Sequence, residues 1–157
     1  MQKITPFLWF NNTAEQAAKF YASVFKGGKI LSIARYTETG PGKPGSVMTV
    51  KFRILGQEFV GLNGGTDFKI TPAISFVVTC DNQKEVDYYW AKLSAGGKKI
   101  QCGWLEDKYG VSWQVVPGVL YDLISDKEPE RSDRVMAALM KMVKLDIKRL
   151  QQAYRGK

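Results

Sequence analysis

Histidine is absent from the 157 residues. That absence excludes Ser-His-Asp and Cys-His catalysis and any histidine-ligated metal, because histidine is the usual general base near neutral pH and the commonest metal ligand. Cysteine is nearly absent too. Cys80 and Cys102 are too far apart for a CxxC pair, and each sits at the edge of an apolar stretch, so both read as buried reduced thiols, with a reactive thiol as the alternative. No apolar stretch approaches the 18 or so residues of a membrane span. The opening MQKITPFLWF lacks the apolar run of about 7 to 15 residues that marks a signal peptide. A cytoplasmic protein with no membrane partner is the expectation, and the Asn11-Asn12-Thr13 sequon is then fortuitous.

What is present is ordinary for a globular chain: 45% hydrophobic and 24% charged residues, in a length that suits one domain or two small halves sharing a core. The charge is less ordinary, at +8 overall. From Lys127 to Lys157 there are nine basic residues against four acidic ones, a net of +5. Acidic partners therefore have to be considered.

A repeat organises the chain. Residues 4–30 read ITPFLWFNNTAEQAAKFYASVFKGGKI and residues 70–100 read ITPAISFVVTCDNQKEVDYYWAKLSAGGKKI. Ile4-Thr5-Pro6 returns as Ile70-Thr71-Pro72, an offset of 66, and Gly27-Gly28-Lys29 returns as Gly96-Gly97-Lys98, an offset of 69. The three additional residues are assigned to the connection between strand and helix. Each copy reads as a strand, a cap and an amphipathic helix. Asn12 with Glu15, and Asn82 with Glu85, have capping-box spacing. Ala17, Phe20, Tyr21 and Val24 are matched by Val86, Tyr89, Trp90 and Leu93 at helical spacing, and each helix runs into a glycine pair.

Strands are expected over about 29–36, 46–55 and 58–63, where Met48, Val50, Phe52 and Ile54 alternate with Thr49, Lys51 and Arg53. Further strands are expected over about 99–105 and 111–116. The loop TETGPGKPG contains a literal G-x-G-x-x-G at Gly40, Gly42 and Gly45. It carries two prolines and precedes a strand rather than a helix, so it does not read as a dinucleotide site. In the tail, Met136, Leu139, Met140, Val143, Ile147, Leu150 and Tyr154 form a helical apolar stripe, expected to pack on its own domain or a partner subunit with the lysines in water. The alternative is a basic amphipathic helix lying on a membrane or nucleic acid.

A tandem βαβββ repeat of this length resembles the vicinal oxygen chelate superfamily of glyoxalase I, extradiol dioxygenases and the fosfomycin and bleomycin resistance proteins. PFLWFNNTAEQAAKFY, LNGG at residues 62–65, CGWLEDKYGVSWQVVP and MKMVKLDIKRLQQA are similar to its PhnB-like branch, often labelled a 3-demethylubiquinone-9 3-methyltransferase domain. The resemblance implies an α+β fold of two U-shaped half-barrels. The paired modules, at about 1–66 and 67–120, form one domain over residues 1–126, and a helical extension occupies 127–157.

In the superfamily the paired halves enclose a cavity that holds a divalent metal on His, Glu or Gln. The corresponding positions here are Pro6, Pro72, Val60 and Gln114. Only Gln114 offers an oxygen, and a lone amide does not complete a shell for Zn²⁺, Mg²⁺ or Fe²⁺. No metal and no cofactor are expected.

If Val60 and Gln114 face inward, alternation places Glu58, Leu62, Ser112 and Val116 with them, and Pro6, Leu8, Phe10, Pro72, Ile74 and Phe76 join from the first strands. The set Leu8, Phe10, Glu58, Val60, Ile74, Phe76, Ser112 and Gln114 then describes either a mostly apolar small-molecule pocket or filled core. Glu58 is its one carboxylate. It is a candidate acid or base if burial raises its pKa, or a solvated rim residue if not. Lys51 and Arg53 either offer an anion site or coat an exposed face.

A small-molecule binding protein, working as a homodimer, is the leading expectation. The alternatives are a glyoxalase- or dioxygenase-type enzyme, the methyltransferase of the branch label, and a metal-independent enzyme using Glu58. Whether any reaction is catalysed stays open. A methyltransferase lacks support in a repeat with no doubly wound sheet. Nucleic acid is not the expected partner, because the basic tail has no interleaved aromatics and no groove-reading motif.

Overall fold

The computed structural model describes residues 2–157 and separates into two compact units, one ending at Ile70 and the other running from Thr71 to Lys157. The first unit contains β1 (Phe7–Phe10), α1 (Ala14–Val24), β2 (Lys29–Arg35), β3 (Val47–Ile54) and β4 (Gln57–Asn63). The second contains β5 (Phe76–Cys80), α2 (Gln83–Leu93), β6 (Lys98–Lys99), β7 (Trp104–Glu106) and β8 (Ser112–Pro117). It continues into α3 (Val119–Ile124), α4 (Pro129–Leu139) and α5 (Ile147–Tyr154). Each unit has its own open four-stranded mixed sheet, ordered β1-β4-β3-β2 and β5-β8-β7-β6, whose first two strands run parallel. The repeated βαβββ pattern is therefore present in both.

The helices stop as their sequences predict. Gly27 and Gly96 take the left-handed conformation, with φ of +73° and +74°, which costs a residue without Cβ little. Their successors have a different requirement. A Cβ on Gly28 would come within 2.5 Å of the Ala22 carbonyl oxygen, and one on Gly97 within 2.0 Å of the Glu106 carbonyl oxygen.

The starts of the two helices differ. Asn82 caps α2, its side-chain oxygen accepting from the Glu85 N–H at 3.1 Å, and the Glu85 carboxylate accepts from the Asp81 N–H at 2.8 Å. Asn12 does not cap α1. It adopts φ of +59°, Thr13 occupies the cap position without a side-chain bond, and the N–H of Ala14 is instead bonded by Asn63 from the end of β4. The extra residues of the second copy also lie elsewhere than expected. Pro6 is four residues before Phe10, whereas Pro72 is eight before Cys80, because residues 71–74 form a turn ahead of β5.

In the first unit α1 buries Ala14, Ala17, Ala18, Tyr21 and Val24 over Val50, Phe52, Ile54 and Phe59, all of them buried. The Phe52 and Phe59 rings stack at 5.4 Å. Filling such a site with a full aromatic side chain contributes about 1.5 to 3 kcal/mol relative to exposure. In the second unit α2 buries Val86, Trp90 and Leu93, and the buried strand residues include Val78, Cys80, Trp113 and Val115.

The C-terminal helices gather a separate cluster of Val116, Leu120, Leu123, Val135, Leu139, Met142, Leu145 and Leu150. Backbone bonds from Cys102 to Met142 and from Gly103 to Val143, both 2.8 Å, attach this cluster to the sheet region. Gln83 adds two more, donating to the Leu145 carbonyl at 3.1 Å and accepting from the Ile147 N–H at 2.9 Å. The tail's apolar stripe is not one continuous helix. It breaks between α4 and α5, so Met136, Met140 and Val143 are exposed while Met142 and Leu145 fill the core.

Candidate functional site

Strand pairing decides which side chains share a face. Glu58, Val60 and Leu62 of β4 lie opposite Arg53, Lys51 and Thr49 of β3, and Val60 and Leu62 pair with Phe7 and Trp9 of β1. These residues form one face of the first sheet. The other face carries Phe59, Gly61 and Asn63 with Leu8 and Phe10, toward α1. A Cβ on Gly61 would meet the Phe10 ring at 3.2 Å and Ala14 at 3.3 Å.

The expectation that Leu8 and Phe10 line the same face as Val60 is thus corrected by one residue of register: Phe7 and Trp9 stand there. Phe7 is 59% exposed, whereas Phe10 is core. The residue beside Val60 is Phe7 rather than Pro6, and the residue beside Gln114 is Val77 rather than Pro72. Neither replacement brings a metal-ligating atom. Among the described residues no three His, Cys, Asp or Glu side chains are grouped to hold a metal ion.

The second sheet needs similar corrections. Phe76 pairs with Trp113, their rings 5.5 Å apart, so it shares the face of Trp113 and not of Gln114. Ile74 lies in the turn before β5 and is 71% exposed, so it is not a strand residue at all. Ser112 is on the expected face by alternation but is only 1% exposed, which removes it from any accessible wall. Val116 is drawn into the C-terminal cluster. Gln114, half-buried, donates from Nε2 to the Ser75 hydroxyl at 2.9 Å and so ties β8 to the residue that follows the turn at 71–74.

Glu58 has a defined electrostatic setting. Its carboxylate accepts from Lys51 Nζ at 2.7 Å and from the Arg53 guanidinium, with 17% of the side chain exposed. The hydrogen bond from Lys51, then that from Arg53, holds its pKa down at about 2 against the opposing effect of desolvation. The condition for a raised pKa is therefore not met: the group is a carboxylate throughout the neutral range and has no proton to give. Lys51 and Arg53, for their part, are occupied by it. Arg53 and Lys51 face the same side as Val60, which was one of the two placements their alternation allowed.

A cavity of about 460 Å³ opens at the carboxyl ends of β1 and β4, some five residues along β4 from Glu58, or roughly 16 Å at strand rise. It is lined by Asn12, Tyr36, Gly42, Lys43, Asn63 and Gly65, among others. The glycine-rich loop thus borders a cavity, but it joins β2 to β3 instead of leading into a helix. The polar groups of Tyr36 and Asn63 are internally bonded: the phenol donates to the Asn63 carbonyl at 2.7 Å, and the Asn63 amide donates to the Val47 carbonyl at 3.0 Å. Trp9 flanks this end of the sheet, its indole N–H bonding the Gly65 carbonyl at 3.0 Å and its ring meeting Phe68 edge-on at 4.9 Å.

One further residue escaped sequence reading, and one of the cysteines differs from its expected burial. Asp107, 2% exposed, accepts from the N–H groups of Tyr109 and Val111 at 2.8 and 3.1 Å and from the Trp113 indole at 2.8 Å. The turn at Asp107–Gly110 was legible as a turn, but nothing in the sequence signalled that its aspartate would be buried. Of the cysteines, Cys80 is buried, with its thiol pushed up to about 12 by desolvation and by Glu85 and Asp81. Cys102 is only partly buried, beside Met140 Sδ at 3.7 Å. Both are free thiols.

Two open mixed sheets, each a βαβββ module with its helix on one face, define a protein of the vicinal oxygen chelate fold. A family model described as 3-demethylubiquinone-9 3-methyltransferase matches residues 2–116, and the chain belongs to this PhnB-like family. The matched span stops short of the C-terminal helices.

A Bacillus cereus protein described as a 3-demethylubiquinone-9 3-methyltransferase, PhnB protein, is 43% identical. The match covers 74% of this chain and all of that one, with a TM-score of 0.68. Protein PA1353 from Pseudomonas aeruginosa is 17% identical over 74% of this chain and 98% of its own, with a TM-score of 0.63. The fosfomycin resistance protein FosX from Listeria monocytogenes is 14% identical over 77% and 94%, with a TM-score of 0.56. The last two relationships show the fold alone. No protein of curated function matches the chain.

Proposed function

We propose that this protein binds a small, mostly apolar molecule, without a metal, against the open face of the first sheet, and that it does so as a homodimer. One observation carries the reading: Phe7, Trp9, Val60 and Leu62 form an accessible apolar row on the face opposite α1, beside a fixed Lys51–Glu58–Arg53 cluster. Aromatic and aliphatic walls with a few immobilised polar groups are the usual composition of a small-molecule site. Glu58 and Val60 remain candidate contact residues, joined by Phe7, Trp9 and Leu62. The family label raises the possibility of methyl transfer, but neither four-stranded mixed sheet has the doubly wound topology that cradles a nucleotide-like cofactor, and the one G-x-G-x-x-G sits between antiparallel strands.

The reading is tested with a neutral flat probe, 2-naphthol, on protein treated with a chelator. The melting temperature should rise with probe concentration, because a ligand that binds only the native state stabilises it by mass action. Chelation alone should leave it unchanged. Val60→Asn should abolish the probe's effect while the protein stays folded. A probe that has no effect, or one whose effect survives Val60→Asn, overturns the site. For the dimer, sedimentation at micromolar concentration should give twice 17.6 kDa, and a monomer at every concentration contradicts it.

A further inference from the structure

Three cations of the second unit are ion-paired: Lys98 with Glu106, Arg131 with Glu128 and Lys144 with Asp87. A second cavity, of about 430 Å³, gathers four others. It lies along α4 and α5 and is lined by Arg134, Lys141, Arg149 and Lys157 over a floor of Ala137, Ala138, Ala153 and Gly156. None of its four cationic side chains is ion-paired to a carboxylate among the described residues, and no acidic side chain is in the lining.

Arg134 is held in place without being neutralised. Its Nε donates to the Ala153 carbonyl at 3.1 Å and one Nη to the Tyr154 carbonyl at 3.0 Å, two uncharged acceptors at the end of α5. A guanidinium has five donors, so three remain.

We propose that this groove binds a small phosphorylated molecule carrying at least two negative charges. Like charges gathered in one concavity repel and raise the local potential, and a multivalent anion relieves that repulsion in a way a single chloride does not. Phosphate suits the lining because its oxygens diverge tetrahedrally, so one group can engage a fixed guanidinium and a mobile ammonium at once. The alanine and glycine floor leaves room for an organic remainder, and the volume is in the range of small-ligand sites. No aromatic side chain is in the lining to stack on a base. The groove is also separate from the face proposed above. All of its residues lie beyond residue 116, where the family match ends, so the site would be an addition to the shared fold and stands or falls independently of the first.

Inorganic tripolyphosphate is the probe, titrated calorimetrically into the whole protein near physiological ionic strength. Binding with Kd below about 1 mM is expected, weakening at least about tenfold in Lys141→Gln/Arg149→Gln. These two side chains are exposed and make no side-chain hydrogen bond, so the fold should persist, which circular dichroism checks. Lys148→Gln removes a cation of the same helix outside the groove and should change Kd by less than about twofold, because diffuse charge is screened by salt. Absence of tripolyphosphate binding overturns the proposal, as does an equal loss in Lys148→Gln. So does a result in which only short single-stranded DNA or phosphatidylserine vesicles, and not tripolyphosphate, show the groove-dependent loss.

Discussion

The side-chain oxygen of Asn63, the last residue of β4, accepts a 2.9 Å hydrogen bond from the backbone N–H of Ala14, the first residue of α1. A strand residue 49 positions away thus does the work of a helix cap, while its amide nitrogen donates to Val47 at 3.0 Å and its own carbonyl accepts from Tyr36 at 2.7 Å. Asn63 joins helix, sheet and the glycine-rich loop in one buried residue.

Asn63→Ala should therefore leave the Ala14 N–H and the Val47 carbonyl without partners. Each such group costs about 1 to 3 kcal/mol, so a total loss of about 2 to 6 kcal/mol is expected in chemical denaturation. Asn63→Asp keeps the acceptor for Ala14 but loses the donor to Val47, and should fall between the two. Near-equal stability of Asn63→Ala and the unmodified protein would show that water replaces both bonds.

Glu58 gives a pH signature with a definite sign. Its folded pKa is depressed from 4.5 to about 2, so its contribution to stability is present above the unfolded pKa and is lost as pH falls from about 4.5 toward 2. Urea midpoints measured across that window should decline less steeply in Glu58→Gln than in the unmodified protein. Added salt should shrink the difference, since Lys51 and Arg53 are substantially solvated. Identical pH slopes for the two proteins would contradict the pairing.

Asp107 carries a larger structural role than its place in a short turn suggests. Asp107→Ala removes the acceptor of three donors, among them the buried Val111 N–H and the Trp113 indole, and should cost roughly 3 to 5 kcal/mol. Trp113 near-ultraviolet dichroism should change with it. A loss under about 1 kcal/mol would mean that the indole finds another acceptor.

The repeat, both helices and the alternation of β3 and β4 were legible because each rests on a local pattern: matched glycine pairs, helical apolar spacing, and apolar residues alternating with Thr49, Lys51 and Arg53. The face of β1 was not. Phe7-Leu8-Trp9-Phe10 is apolar at every position, so alternation contains no parity, and a one-residue choice of register exchanges every side chain between faces. Only the pairing of Phe7 with Val60 decides it. Ile74 and Phe76 were misplaced for a related reason. The ITP anchor repeats in sequence but precedes the strand directly in one copy and a turn in the other. The caps show the same limit, since Asn12 has the right spacing and is left-handed, while the group that bonds Ala14 comes from a distant strand.

The most direct test of a metal-free binding face is to map where a neutral, flat ligand lands. Backbone amide resonances of the chelator-treated protein, followed during titration with 2-naphthol, should shift along β1 (Phe7–Phe10) and β4 (Gln57–Asn63), with the indole N–H of Trp9 among the most affected. Shifts confined to the C-terminal helices, or shifts along β1 and β4 that appear only when a divalent metal is restored, would contradict the proposed function.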